Sequence, residues 1–174
     1  KTNKIGGKMK KLLLGLFLIS SALTFSARVV KSTETVLKDN LIYVGEETTP
    51  YTGVIETYNE QGILVVKDEF KNGLRDGSSK KYFLNGGKVS IEATFSNGIQ
   101  VGVEKSYYES GELLSECSYK NGKMDGIAKI YYQNGQVEIE DPYKNGERNG
   151  VIKVYDENGK LVRQATFKNG KQIK

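Results

Sequence analysis

Three series of glycines recur along the chain at an interval of 24 residues, and this repeat restricts the possible fold more than any other feature. One interval in each series is 25 residues, because a single extra residue lies at the Gly86-Gly87 pair. A fixed period of this length is typical of tandem-repeat proteins, in which each unit buries its apolar face against its neighbours. The three series are Gly53, Gly77, Gly102, Gly126, Gly150; Gly62, Gly86, Gly111, Gly135, Gly159; and Gly73, Gly98, Gly122, Gly146, Gly170.

Within each unit the side chains alternate with a period of two, which indicates β-strands. In residues 126–146, Lys129 and Tyr131 fall on one face of the first strand, whereas Ala128 and Ile130 fall on the other. Each unit is therefore predicted to be one β-hairpin. Because a lone hairpin is marginally stable in water, neighbouring hairpins must supply the missing contacts.

The glycines are predicted to mark two kinds of turn. Asn85, Asn134 and Asn158 precede a glycine in the middle of their units, and we expect two-residue hairpin turns there, with positive φ at both residues. The Lys-Asn-Gly-x-x-x-Gly phrase at the end of a unit is predicted to be a longer link to the next hairpin, whose second glycine permits a bulge or a close backbone approach. A local bulge or an unpaired position is also expected beside Pro142, which cannot donate to a strand ladder.

Residues 1–27 have the pattern of a secretory leader. From Met9 the chain has two lysines, an apolar run over residues 12–19 and then a series of small residues. This three-part order is typical of a signal peptide, and the apolar run is shorter than the roughly 20 residues that a membrane span needs. An uncleaved N-terminal anchor is the alternative. The sequence therefore predicts an exported protein of the bacterial periplasm or cell envelope.

The formal net charge of +5 comes entirely from the predicted leader. Residues 1–27 contain five of the 26 basic residues and no acidic one, so 21 basic and 21 acidic side chains remain in the rest of the chain. A nucleic-acid-binding protein needs a basic excess on its folded body. No nucleic-acid partner is predicted.

The repeat unit resembles a known family. The pattern Y-x-G-x-x-x-x-Y-x-x-x-G-x-L followed by F/Y-K-N-G-x-x-x-G is similar to the MORN-type repeat in its bacterial variant, found in proteins described as YwqK-type antitoxin-like. The stretch PYTGVIETYNEQG (50–62) resembles the usual opening of that repeat. The resemblance covers residues 50–171. It implies an elongated antiparallel meander and, by the family label, the neutralisation of a toxin.

The predicted fold is all-β, an elongated antiparallel meander of about five tandem 24-residue hairpins preceded by an N-terminal signal helix. Residues 28–49 precede the full repeats and are predicted to form a cap, with residues 41–44 as one further strand. The domains are expected to be the upstream residues and leader at 1–27, the cap at 28–49 and the repeat domain at 50–174. The repeats are expected near residues 53–76, 77–101, 102–125, 126–149 and 150–173.

The residue types argue against an enzyme. The chain has no histidine, which excludes Ser-His and Cys-His catalysis and histidine metal sites. Cys117 falls in a strand column and is interpreted as a core or half-buried thiol. The carboxylate pairs Glu138/Glu140 and Asp68/Glu69 are considered for acid-base work, and solvated charge is the preferred interpretation for the first pair. No kinase glycine-rich loop, HRD-like or DFG-like segment occurs. No catalytic, cofactor or metal site is predicted.

The remaining hypothesis is a binding scaffold that engages a protein or an envelope component through its long sheet face. The alternatives are an antitoxin-like neutraliser and a peripheral phospholipid binder, with membrane contact limited to an uncleaved leader or weak surface binding. Open sheet edges also allow self-association. The candidate interaction face is a tyrosine column that is either packed between hairpins or exposed to an extended partner. The column consists of Tyr58, Tyr82, Tyr107, Tyr131 and Tyr155.

Overall fold

The computed structural model describes residues 28–85 and 87–173, which form an all-β structure with one short 3-10 turn. The predicted signal helix at residues 1–27 lies outside the described residues, as does Gly86 of the glycine series. In the described part of the chain, that three-residue turn is the only helix, so none there is long and apolar enough to cross a membrane.

Sixteen strands occur in the described residues. The first three belong to the cap and flank the 3-10 turn Ser32–Glu34: β1 (Val29–Lys31), β2 (Thr35–Lys38) and β3 (Leu41–Val44). The repeats contain β4 (Gly53–Tyr58), β5 (Leu64–Lys71), β6 (Leu74–Tyr82), β7 (Val89–Ser96), β8 (Ile99–Tyr107), β9 (Leu113–Lys120), β10 (Lys123–Met124), β11 (Gly126–Tyr131), β12 (Val137–Lys144), β13 (Glu147–Arg148), β14 (Gly150–Tyr155), β15 (Leu161–Lys168) and β16 (Lys171–Gln172).

The repeat strands form one 14-stranded sheet together with β1. From β4 onward each strand pairs antiparallel with its neighbour in sequence, which confirms the predicted meander of five hairpins. Two strands of the cap, β1 and β2, were not predicted. Strand β1 pairs in parallel with β4, with Val30 opposite Ile55, so the sheet is mixed. The predicted strand at 41–44 is present as β3, which pairs with β2 in a separate two-stranded sheet.

The prediction of turn types was wrong, because the two kinds are exchanged. The tight two-residue turns join one hairpin to the next: Lys120 pairs with Lys123, and Asn121 and Gly122 between them have φ of +52° and +75°. The turn inside a hairpin is longer: Tyr131 pairs with Val137, and the amide of Gly135 donates to the carbonyl of Tyr132 at 2.9 Å. In these inner turns the glycine alone has positive φ, and neither Asn134 nor Asn158 does.

The glycine that follows a tight turn marks a bulge, as predicted, and at Gly150 it also marks a close approach. The β5–β6 register shifts between Asp68 and Phe70, opposite Gly77, whose φ is +116°. A Cβ at Gly150 would lie 2.6 Å from Cγ of Pro142. The carbonyl of Pro142 accepts from Asn149 at 2.8 Å in the break between β13 and β14, so the missing N–H of this proline faces the bulge. The expected irregularity beside Pro142 is confirmed.

The linking turns also connect successive repeats. From Gly98 onward, the amide of each turn glycine donates to a main-chain carbonyl just after the preceding linking turn, as Gly122 does to Gln100 at 3.0 Å and Gly146 to Met124 at 2.8 Å. These bonds repeat at the linking-turn end of each hairpin and join each repeat to the one before it.

The new turn assignment gives a direct prediction. Replacing Asn121 with alanine is expected to lower the free energy of unfolding by about 1–2 kcal/mol. A residue with a Cβ is strained in the left-handed region, and alanine lacks the local hydrogen bonding by which asparagine offsets that strain. Asn121→Gly should recover most of the loss. Chemical denaturation of the two variants measures the difference.

The matched control for Asn121 is Asn134→Ala, at the inner turn, where φ is not positive. This variant loses two exposed hydrogen bonds, from the amide of Gln136 to Oδ1 of Asn134 and from Nδ2 of Asn134 to the carbonyl of Glu157. Each is worth about 1 kcal/mol or less, and Asn134→Gly, which loses the same two bonds, should recover none of that loss. The assignment of the tight turn to Asn121 and Gly122 would be contradicted if the Asn121→Gly variant were no more stable than the Asn121→Ala variant.

The best-buried part of the molecule lies where the cap meets the first repeat. Val30, Val44, Tyr51 and Ile55 form the buried cluster, and Ile42 and Phe70 pack against it. The amide of Ile42 donates to the carbonyl of Gly73 at 3.0 Å, and the amide of Tyr51 donates to the carbonyl of Ile42 at 2.8 Å. Strand β3 is therefore held on the sheet by both aliphatic contacts and main-chain hydrogen bonds.

Candidate binding surface

The long sheet is a single layer, and the side chains of each strand alternate between its two faces. Neighbouring residues Glu140 and Asp141 of β12 point to opposite sides. We call the side with Glu140 the charged face and the side with Asp141 the groove face.

A row of charges crosses the charged face in register from β1 to β14. Acidic and basic residues alternate in it, except that Lys67 lies opposite Lys80. Nζ of Lys80 is 2.9 Å from Oε1 of Glu92, and opposite charges directly across a pair of strands favour one register over a slipped one. The row consists of Lys31, Glu56, Lys67, Lys80, Glu92, Lys105, Glu116, Lys129, Glu140 and Lys153.

The predicted tyrosine column lies on the charged face. Three of its hydroxyls donate to a glutamate of the preceding hairpin, 15 residues earlier: Tyr107 to Glu92 at 2.9 Å, Tyr131 to Glu116 at 2.7 Å and Tyr155 to Glu140 at 3.1 Å. Tyr58 donates to Glu56 on its own strand at 2.6 Å, and the residue 15 positions before Tyr82 is Lys67 instead of a glutamate. The column therefore braces one repeat against the next, and its role in binding stays a prediction.

The Tyr131 bond predicts a loss of stability at high pH. Burial and the hydrogen bond to Glu116 raise the pKa of Tyr131 to about 12, whereas an unfolded tyrosine titrates near 10. The folded chain holds this proton more tightly, so its contribution to stability is complete below pH 10 and is lost as the pH rises from 10 to 12. Denaturation measured across this window should show a shallower loss for Tyr131→Phe. An identical pH slope in both proteins would contradict the assignment.

The groove face is lined by half-buried apolar side chains and encloses a cavity of about 660 Å³ over the last three repeats. Its centre is a cross-strand row in which Ile130 lies opposite Ile139 and Ile139 lies opposite Val154. Ile152 and Phe167 line the same cavity from the last hairpin. In these repeats no second layer of the described chain covers the row.

The groove face also contains two matching ion-pair clusters, three repeats apart. Nε of Arg148 lies 2.9 Å from Oδ2 of Asp141, and the guanidinium carbon of Arg148 is 5.6 Å from the centre of the Phe167 ring. The earlier copy has the same geometry, at 3.0 Å and 5.4 Å, and consists of Asp68, Arg75 and Phe95.

The two aspartates of these clusters are buried, with 5% of Asp68 and 8% of Asp141 exposed. Oδ1 of each has no hydrogen-bond partner within the described chain. Asp68 is therefore a buried member of an ion pair. Glu69, its partner in the candidate acid-base pair, is exposed and accepts a hydrogen bond from the amide of Ser78 at 3.1 Å.

The other candidate carboxylate pair, Glu138 and Glu140, is half-buried on the charged face. The interpretation of this pair as solvated charge stays a prediction. Glu140 lies in the charge row, 3.7 Å from Nζ of Lys153, and accepts the hydrogen bond of Tyr155. Both contacts connect Glu140 to β14.

Cys117 is half-buried and lines the cavity, which confirms the interpretation of a half-buried thiol. Burial raises the pKa of the Cys117 thiol, and the nearby carboxylates of Glu104 and Asp141 add to this effect. A raised pKa lowers the thiolate fraction at neutral pH, which makes the side chain a poor nucleophile. Among residues 28–85 and 87–173, no cluster of Cys, Asp and Glu side chains has the geometry of a metal site.

The sequence interpretation missed a second tyrosine column, which connects the inner turns. The hydroxyl of Tyr108 donates to the carbonyl of Tyr131 at 2.7 Å, and that of Tyr132 donates to the carbonyl of Tyr155 at 2.8 Å. The doubled tyrosines at 107–108 and 131–132 were the available signal, because adjacent strand residues face opposite sides of a sheet. The groove was missed as well, since its apolar residues change type from one repeat to the next.

Comparison with known protein families gives a match in the second half of the chain. The MORN repeat variant matches residues 100–121, 124–145 and 148–169, three segments that begin 24 residues apart. Each segment starts near a tight linking turn and extends through one hairpin to the next linking turn. The resemblance read from the sequence is confirmed for these three repeats. No curated protein shows a significant match to the chain.

Proposed function

Residues 100–169 consist of three tandem MORN-repeat variants, and from this premise we propose that the chain is a non-enzymatic, exported scaffold that binds a protein or cell-envelope component with its groove face. The proposal gives no residue a catalytic role. The predicted leader at residues 1–27 supports export, and the absence of histidine from the sequence supports a role in binding.

The observation that carries the proposal is the uncovered groove face of the last three repeats. All six buried apolar residues of the described chain lie between residues 30 and 93. Beyond residue 93, Ile130, Ile139, Ile152 and Val154 are only half-buried. A sheet is normally stabilised by packing one apolar face against a second layer, and a contiguous uncovered apolar face marks an interaction site.

The charges of the groove face favour a protein partner over an anionic lipid surface. Glu104 and Asp141 are balanced by Arg148 and Arg163 in the lining of the cavity. On the opposite face lysines and glutamates alternate. Binding to anionic lipid depends on a cluster of basic side chains, which neither face offers. Neutralisation of a toxin would be one use of the same surface.

Photo-crosslinking tests the proposal with adjacent residues on opposite faces. Ile152 lines the cavity, whereas Val151 is 38% exposed on the other side of the same strand. A photoreactive amino acid is introduced at one position or the other in the full chain, which is expressed with its leader in the bacterium of origin. We expect a discrete cross-linked product in the envelope fraction from position 152 and none from position 151.

Mass spectrometry of that product identifies a protein, a toxin or a lipid. Equal products from both positions, or none from position 152, would overturn the proposal. Retention of the chain in the cytoplasm would overturn its exported part. Phospholipid as the only cross-linked species would replace the protein partner with a membrane.

A further inference from the structure

The cap provides an internal example of an extended strand packed on the groove face. In the first repeat, strand β3 of the cap lies against the sheet and inserts Ile42 and Val44 among Tyr51, Ile55 and Phe70. The two inserted residues are two positions apart, so both point to the same side of an extended strand. Ile55 is 6% exposed as a result.

Two of the three side chains that receive β3 recur in the uncovered cavity, where Arg148 occupies the position that corresponds to Tyr51. Ile152 lies two residues beyond the column glycine Gly150, just as Ile55 lies two residues beyond Gly53. Phe167 is paired with Gly150 as Phe70 is paired with Gly53. Ile152 and Phe167 both line the cavity. The last repeat therefore presents the isoleucine and the phenylalanine that hold the cap strand in the first.

On these grounds we infer that the groove over the last three repeats binds an extended strand of a partner protein, with aliphatic side chains at positions i and i+2. The inference rests on the proposed scaffold function and names the class of its partner. The aliphatic pair would lie against Ile152 and Phe167 and the adjoining row formed by Ile130, Ile139 and Val154, all of which line the cavity. The balanced charges of the groove require no net charge on the strand.

A peptide made from the cap strand itself is the probe. Residues 38–45, Lys-Asp-Asn-Leu-Ile-Tyr-Val-Gly, carry one positive and one negative side chain. The peptide is acetylated, amidated and labelled with a fluorophore, and its binding to the full chain is followed by anisotropy. The control peptide carries Ile42→Ser and Val44→Ser. We expect the control peptide to bind at least about tenfold more weakly.

A pair of serines that already occurs in another repeat can replace two residues of the apolar row. One repeat earlier the same cross-strand positions are Ser106 and Ser115, whose hydroxyls are hydrogen-bonded at 2.7 Å. The double variant Ile130→Ser/Ile139→Ser copies this pair and is expected to weaken the peptide by at least about tenfold. The control, Ile127→Ser/Val151→Ser, removes exposed aliphatics from the charged face and should leave binding unchanged.

Two further measurements locate the peptide and guard against a misfolded variant. Cys117 is the only cysteine and lines the cavity, so bound peptide should slow its reaction with a thiol reagent. The added peptide has the sequence of β3 and can also compete for the site that β3 occupies on the first repeat. Only binding in the groove protects the Cys117 thiol. If the double serine variant does not fold, Val154→Lys replaces it, because the corresponding residue three repeats earlier, Lys81, is already a lysine.

Several outcomes would overturn the inference. They are absence of peptide binding, equal binding by the groove variant and the wild type, and binding without protection of Cys117. A dimer in light scattering that the double serine variant dissociates would show that a second copy occupies the groove. A partner cross-linked from Ile152 without peptide binding would leave the scaffold function standing and reject the extended strand alone. Peptide binding without an envelope partner would support the strand-binding groove and reject the scaffold function.

Discussion

Replacement of Tyr51 by alanine is expected to lower the free energy of unfolding by about 3–5 kcal/mol, the range for truncation of a large buried aromatic side chain. Tyr51 is 2% exposed and lies at the centre of the buried cluster. Its hydroxyl donates to the carbonyl of Arg28 at 2.5 Å and lies 3.0 Å from the carbonyl of Val54. Since it contacts β1, β3 and β4, its loss should release the cap from the first repeat. Urea denaturation followed by circular dichroism measures the effect.

Tyr51→Phe is the matched control, because it keeps the ring and removes only the hydroxyl. We expect a loss of about 1–2 kcal/mol, since two main-chain carbonyls lose their contact with the hydroxyl. Hydrogen exchange of β1 and β3 amides should increase strongly in the alanine variant and weakly in the phenylalanine variant. A loss below about 1 kcal/mol in Tyr51→Ala would show that the cap does not stabilise the sheet.

The repeat and the strands could be predicted because they follow from local chemistry. The alternation around Ala128 and Ile130, repeated every 24 residues, predicts one hairpin in each unit. The parallel strand β1 could not be found this way. Val29–Lys31 is three residues long, and its pairing with β4 depends on the buried cluster around Ile55, which has no sequence signal of its own.

The exchanged turn types show how one dipeptide was misread. Asn-Gly occurs at both kinds of turn, and by itself it favours the two-residue type. The two kinds of turn differ in which residues occur immediately before the glycine. The inner turn has Gln61 and Ser110 where others have asparagine, so it does not require positive φ before its glycine. The linking turn has asparagine in every repeat: Asn72, Asn97, Asn121, Asn145 and Asn169, all with positive φ.

The regular spacing of the predicted tyrosine column has a structural explanation. The tyrosine column was chosen for its regular spacing, and that spacing reflects the bonds from Tyr107 and Tyr131 to the preceding hairpin. A residue that braces identical repeats must recur in each of them. A binding surface is free to vary, and the groove row varies from Ser106 through Ile130 to Val154. Strict periodicity therefore indicates architecture, and the less regular column is the better candidate for recognition.

Replacement of Gly150 by alanine is expected to lower the free energy of unfolding by about 2–6 kcal/mol, because it combines backbone strain with a steric clash. Its φ of +139° is a region that residues with a Cβ rarely adopt, at a cost of about 1–3 kcal/mol. The added Cβ would lie 2.6 Å from Cγ and 3.0 Å from Cβ of Pro142, and overpacking of this kind adds about 1–3 kcal/mol. Thermal or urea unfolding of the full chain measures the loss.

The same column supplies a control and a way to separate the two causes. At Gly102 the nearest atom to an added Cβ is Cβ of Thr94 at 4.0 Å, so Gly102→Ala should cost only the strain, about 1–2 kcal/mol at its φ of +72°. Pro142→Ala removes the Cγ that Gly150→Ala would meet. The double variant should therefore be more stable than the sum of the two single changes predicts, by about 1 kcal/mol. Strict additivity, or equal losses at Gly102 and Gly150, would mean that the proline does not restrict this glycine and that strain alone fixes the bulge.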